Sequence, residues 1–288
     1  MKNKIKKSIK PKKNKSSSNP IFAKNLEGKI IFIRHGETDY NIDINKKGSK
    51  IKFDINYLDG HLNSNGEKQA EKSSDKFNNI DIEAIYVSPL YRTLESAFIL
   101  FKNHPKKDNI QLIVHPLLTE VVSSMNNFTD DIEIKKNLYN EKSEIKINWN
   151  LFDEEFKTKE EQNFYYMKYV NLLPKEKYDN IKNKMYDSLK TGKMKESISE
   201  LGKIISDLKM KRIESLNHLF NRTIKFKEYL KDKYKNSMND CNKKIIIISH
   251  SCFGQMFTSK ECYGKTNIKE YPKDCCDVNN CEAISVFI

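Results

Sequence analysis

Five short apolar runs punctuate an otherwise polar chain: residues 29–33 (KIIFI), 84–87, 110–114, 244–249 with four consecutive isoleucines, and 283–288. Each is rich in β-branched residues, and most are bounded by glycine, proline or polar residues. Continuous apolar runs of this length predict strands buried on both faces rather than amphipathic ones. Between them the spacing turns helical. A helix is expected over 65–78, opening near a capping Ser64, and another over 91–101, just after Pro89. Strands alternating with helices predict an α/β fold, a three-layer α/β/α sandwich around a mainly parallel sheet.

Residues from about 126 to 211 break that rhythm. They are rich in Lys, Glu, Asn and aromatics, and 178–189 and 194–210 have helical spacing. A mostly helical insertion is expected here, too long for a plain loop and suited to a lid or side lobe.

Composition narrows the class. The 288 residues are 38% hydrophobic and 32% charged, yet 15 Phe and 14 Tyr supply enough apolar surface for a packed interior. No apolar run approaches the ~20 residues of a membrane span, and the first residues lack the apolar core of a signal peptide, so a soluble, cytoplasmic protein is expected. The net charge of +13 is unevenly placed: nine lysines and no acid lie in residues 1–24, leaving +4 on the other 264. Residues 1–26 read as a disordered, solvated lysine-rich tail suited to anionic surfaces, and no nucleic-acid partner is required. The six cysteines, Cys241, Cys252, Cys262, Cys275, Cys276 and Cys281, fall in the last 48 residues without a C-x-x-C pair. Reduced thiols and no metal site are expected, with Cys252 facing the core.

The chemistry gathers at strand ends. Arg34-His35-Gly36-Glu37-Thr38 follows the first strand, Arg92 the second, Glu120 the third and His250 the fourth. In a doubly wound sheet the carboxyl ends of strands form the ligand crevice. A neutral His35 there can attack phosphorus while Arg34, Arg92 and a protonated His250 hold the equatorial oxygens, and Glu120 serves as acid and then base. The Gly36 amide is expected to add a donor to the bound group. No metal or other cofactor is needed for that scheme. His61, His104, His115 and His218 lack such a setting and read as structural or exposed.

These motifs resemble the histidine phosphatase superfamily, in its phosphoglycerate-mutase-like branch. Arg34-His35-Gly36-Glu37-Thr38-Asp39-Tyr40-Asn41 resembles the branch signature. Asp59-x-x-Leu62-x-x-x-Gly66-x-x-Gln69-Ala70, residues 86–97 around Arg92, Leu117–Val121 around Glu120, Glu214-Ser215 with Arg222 and Phe226, and Ser249-His250 follow in family order. The similarity covers about 29–125 and 213–288, so residues 27–288 would form one such domain, interrupted by the insertion. The resemblance implies His35, Glu120, His250, Arg34 and Arg92 as catalytic residues. It also implies phosphate binding by Arg34, Thr38, Asn41, Arg92, His250 and Ser251.

Three departures bear on function. Ile55-Asn56-Tyr57-Leu58 stands where mutase members carry a Thr-Gly-Trp type of substrate loop, and Glu120-Val121-Val122-Ser123-Ser124 where they carry Glu-Arg-x-Tyr-Gly. Ser251 replaces a common glycine, where its Cβ would crowd a phosphate-facing amide. The expected function is a metal-independent phosphatase acting on a phosphorylated small molecule or a phosphoprotein. The alternatives are a phosphoglycerate or bisphosphoglycerate mutase, or a catalytically weak module that binds phosphorylated ligands. Specificity is expected from residues 41–59 and 126–211.

Overall fold

The computed structural model describes residues 26–142, 144–259, 270–271, 277–286 and 288. The lysine-rich tail, apart from residue 26, and Cys262, Cys275 and Cys276 lie outside the described residues. In chain order the strands and α-helices are β1 (Ile30–Arg34), α1 (Asp39–Lys47), α2 (Ser64–Ser74), β2 (Asp81–Val87), α3 (Tyr91–Phe101), β3 (Gln111–Val114), α4 (Ile132–Lys142), β4 (Lys146–Asn148), α5 (Asn150–Glu155), α6 (Lys159–Asn163), α7 (Lys175–Lys190), α8 (Met194–Asp207), α9 (Leu216–Lys233), β5 (Lys243–Ser249), α10 (Ser251–Thr258) and β6 (Ala283–Val286).

The six strands form one sheet in the order β4-β3-β2-β5-β1-β6, all neighbours parallel except the β1–β6 pair. The four isoleucines of β5 show why its sequence is continuously apolar. Ile246 and Ile248 face one core with α2, α3 and the helices between α4 and α8, while Ile245 and Ile247 face a second core with α9 and α10. A strand covered on both faces by helices has no polar side. The result is the three-layer α/β/α sandwich.

Local chemistry adjusts two expectations. The α2 cap is Asn63 rather than Ser64, because the Asn63 side chain accepts the Gly66 amide at 2.8 Å. The segment read as helical also holds β4, which extends the sheet beyond β3. Helix α8 stops at Asp207, and Lys209 follows in the left-handed region at φ 51°. No helix among the described residues is long and apolar enough to cross a membrane.

Candidate active site

Sheet register brings His35 and His250 together. Arg34 at the end of β1 lies opposite Ser249 at the end of β5, and the His35 amide donates to the Ser249 carbonyl at 3.1 Å. The two imidazoles have ring centroids 5.2 Å apart. On the other side of β5, Val87 pairs with Ile248, which sets Ser88 beside His250, with 2.8 Å between Ser88 Oγ and His250 Nε2.

His35 is held as one neutral tautomer. Its Nδ1 lies 2.6 Å from the Gly36 carbonyl oxygen, a contact that assigns the proton to Nδ1 and leaves the lone pair on Nε2. Burial, followed by the Arg92 and Arg34 guanidinium groups, pushes the His35 pKa well below the ordinary imidazole value. Arg92 Nε then donates to His35 Nε2 at 3.3 Å.

The rest of the Arg92 fork is occupied by the loop that precedes α4. Nη1 donates to the Asn126 carbonyl at 2.6 Å and Nη2 to Asn127 Oδ1 at 3.0 Å. Asn127 is itself tied down by donating Nδ2 to the Val121 carbonyl at 2.8 Å. His35, Arg92 and His250 are 4%, 1% and 0% exposed, so this state of the site is closed, with the 126–127 turn seated on the guanidinium.

His250 stands close to two arginines and a second histidine. Burial, then Arg92, His35 and Arg34, push its pKa well below the ordinary value, so it is neutral near pH 7. Among the described residues its buried Nδ1 has no hydrogen-bond partner.

Glu120 is reached through a buried arginine. Arg222 Nη1 donates to the Leu117 and Thr119 carbonyls at 2.6 and 2.9 Å, while Nε and Nη2 hold the two Glu214 oxygens at 2.8 and 2.9 Å. That pair fixes the turn on which Glu120 stands. The Glu120 carboxylate accepts the backbone amides of Val121, Cys252 and Phe253 at 2.8, 3.1 and 3.2 Å, two of them from the first turn of α10. It is docked as an acceptor at the N-terminus of α10. Cys252 is half-buried against the α9–α10 core and also presents its amide to Glu120.

Other expected ligands have local partners. Thr38 caps α1, and its amide and hydroxyl both donate to Asn41 Oδ1 in a capping box, which leaves Asn41 Nδ2 as its outward donor. The Gly36 amide, expected to face a bound group, donates instead to Ser96 Oγ at 2.9 Å. Glycine is required at 36 by close approach, since a Cβ there would sit 2.6 Å from the Gly66 carbonyl oxygen. Ser251 opens α10 and is not among the positive-φ residues, so its backbone does not call for glycine. Arg34 is half-buried. Its Nη1 donates to the Val278 carbonyl at 3.1 Å, and its buried Nε has no partner among the described residues.

Ser88, Asn126, Asn127 and Asn280, whose Nδ2 donates to the His35 carbonyl at 2.7 Å, were not singled out from the sequence. Ser88 was within reach of the strand-end rule that selected His250. Asn126 and Asn127 lie in a short 3-10 helix and Asn280 in a turn, with no such signal.

Two histidines and two arginines thus gather at the carboxyl edge of the mainly parallel sheet. The model of the histidine phosphatase superfamily (branch 1) matches residues 30–152 of this chain. The match runs through β4, beyond the end expected from the motifs. A probable phosphatase of Schizosaccharomyces pombe is 29% identical over 116 residues, 38% of this chain and 50% of that protein. Fructose-2,6-bisphosphatase TIGAR B of Danio rerio is 30% identical over 91 residues, 32% of this chain and 33% of that protein. The chain thus matches half or less of the length of these relatives. Among solved structures, Bacillus stearothermophilus YhfR aligns at a TM-score of 0.41 and 14% identity, covering 89% of this chain and 94% of that one.

Proposed function

We propose that the protein is a metal-independent phosphatase that hydrolyses a phosphomonoester or phosphoprotein through a phosphohistidine on His35. The observation that supports this best is the neutral His35, with its Nδ1 proton on the Gly36 carbonyl and its Nε2 lone pair facing Arg92. Nε2 attacks phosphorus in line, the ester P–O bond breaks, and its electron pair leaves on the alcohol oxygen, which takes a proton from Glu120. Glu120 then draws a proton from water, the water oxygen attacks phosphorus, and the P–N bond breaks to return the pair to Nε2.

Arg92 stabilises the transferring group by exchanging Asn126 and Asn127 for phosphate oxygens. An arriving dianion raises the His250 pKa, so that His250 gains its proton on substrate binding rather than before it. Mutase chemistry is disfavoured by Val121 and Val122. Both are buried, 3% and 0% exposed, and present nothing to grip a second acidic group immediately after Glu120.

Hydrolysis of an aryl phosphate in excess EDTA, wild type against His35→Ala over pH 5 to 8, tests the proposal. Turnover in wild type and its loss by about a thousandfold or more in the variant is the expected result, as for removal of a covalent nucleophile. Equal turnover in both would overturn it.

A further inference from the structure

A fully buried ammonium stands behind Arg92, and the scheme above does not use it. Lys135 on α4 and Asp59 in the loop before α2 form an ion pair in which both side chains are 0% exposed. Lysine is almost never buried this far unless paired, and even a paired charge is costly to desolvate. Lys135 Nζ also donates to the Pro89 carbonyl at 2.8 Å and to Thr129 Oγ1 at 3.1 Å, so all three of its protons are engaged. It lies 4.2 Å from the centre of the Tyr91 ring. Asp59 sits in the left-handed region at φ 45°, a conformation that strains a residue with a side chain.

The Asp59 carboxylate joins the helix that carries Arg92 to the turn that covers it. Its Oδ1 accepts the Tyr91 amide at 3.0 Å and so caps α3, whose own N-cap, Leu90, has no side-chain acceptor. Its Oδ2 accepts the Thr129 hydroxyl and the Asp130 amide, both at 3.0 Å. Thr129 follows closely on Asn126 and Asn127, which occupy the Arg92 fork. Gly60, next to Asp59, runs against the same turn, since a Cβ there would lie 2.7 Å from Asn126 Oδ1. Attachment of the insertion alone would not need this pair. Phe128 already stacks on Tyr166 with ring centroids 4.6 Å apart, and Ile132 is fully buried. Apolar packing of that kind holds elements together without a desolvation cost.

We propose that Lys135 and Asp59 are positioning residues for Arg92: their ion pair latches the Asn126–Asn127 turn onto the guanidinium and so sets the fraction of molecules whose fork is open to phosphate. The proposal rests on Arg92 being the group that holds the phosphate in the reading above. Turn and phosphate compete for the same two nitrogens, so the apparent anion affinity is the intrinsic one reduced by the open fraction. Weakening the latch therefore tightens anion binding, whereas damage to the site loosens it.

The test is calorimetric binding of inorganic phosphate to the full wild-type chain, Thr129→Val and Lys135→Met, with thermal melting to confirm folding. Thr129→Val removes the hydroxyl that bridges the two charged groups while leaving the pair itself, and it carries the test whether or not Lys135→Met folds. Phosphate should bind Thr129→Val about 2- to 10-fold tighter than wild type, the worth of the hydrogen bonds removed, and a folded Lys135→Met at least as much tighter. Amide exchange across residues 125–130 should quicken in the same variants. A gain below twofold in folded Thr129→Val, or weaker binding, overturns the latch. Phosphate binding to none of the three proteins would overturn both the latch and the role given to Arg92. Tightening in Thr129→Val without aryl phosphate turnover by wild type would instead keep the latch and remove the hydrolytic reading, so the two failures are distinct.

Discussion

Arg92 Nε donates to His35 Nε2 at 3.3 Å, so the cation expected to hold a phosphate also touches the nitrogen expected to attack it. One side chain thereby sets both the direction of the lone pair and the place of the phosphate oxygens. Arg92→Lys should lose most of the activity despite keeping the charge, because an ammonium cannot reproduce a planar fork with three fixed directions. A fall in kcat/KM of about 10²- to 10³-fold on an aryl phosphate is expected, the range for losing an oxyanion donor. A Lys variant within threefold of wild type would show that only charge is needed.

The Asn126–Asn127 turn competes with phosphate for that fork. Asn127→Ala removes the contact to Nη2 and should let inorganic phosphate or vanadate bind about 2- to 10-fold more tightly, the worth of one net hydrogen bond. The same substitution cuts the tie to Val121, next to Glu120, and should lower kcat. Inhibition constants and kcat measured together check this opposed pair, and weaker anion binding in Asn127→Ala would contradict it.

The strands were legible because a run of isoleucines or valines in a mostly polar chain has few places to go except a covered sheet. Strand β4 was not, since Lys146–Asn148 contains one apolar residue and lies at the sheet edge, where covering is incomplete. His35 and His250 stood out because each directly follows such a run. The docking of Glu120 on the α10 amides and the seating of Asn126 and Asn127 on Arg92 join residues more than thirty positions apart. No local pattern encodes such contacts. The lowered His250 pKa was not legible for a related reason, as burial and the neighbouring arginines that lower it are properties of the fold.

Glu214 and Arg222 form a buried ion pair, 0% and 3% exposed, beneath the Glu120 turn. Burial works against the Glu214 charge, but Arg222 and the hydrogen bonds from His218, Arg222 and the Val122 amide hold its pKa below the usual value. Arg222→Met should cost about 3–5 kcal/mol by leaving the buried Glu214 without its guanidinium partner, whereas the double variant Glu214→Leu with Arg222→Met should recover part of that. Urea unfolding of the three proteins checks the difference, and equal stabilities of the single and double variants would contradict it.

Stability should fall on mild acidification. Burial and then Lys233 push His115 down to about 3, and burial with the arginines lowers His35 and His250 as well. Such groups bind protons in the unfolded chain before the folded one, so the stability they permit is complete above pH 6.5 and is lost as pH drops below it, down to the folded pKa. Each contributes a slope of up to about 1.4 kcal/mol per pH unit in that window. His115→Gln, which cannot titrate, should flatten the dependence of unfolding free energy between pH 6.5 and 4 by about one such slope. An unchanged slope would show that His115 protonates in the fold.

The most direct measurement is rapid mixing of the protein with a phosphomonoester, quenching in alkali, where phosphohistidine survives, and locating the added phosphate by peptide mass spectrometry. The predicted result is a phosphate mass on the peptide holding His35, absent from His35→Ala and lost on brief acid treatment. Turnover without any such adduct, or an adduct on His250 instead, would contradict the assignment of His35 as the nucleophile.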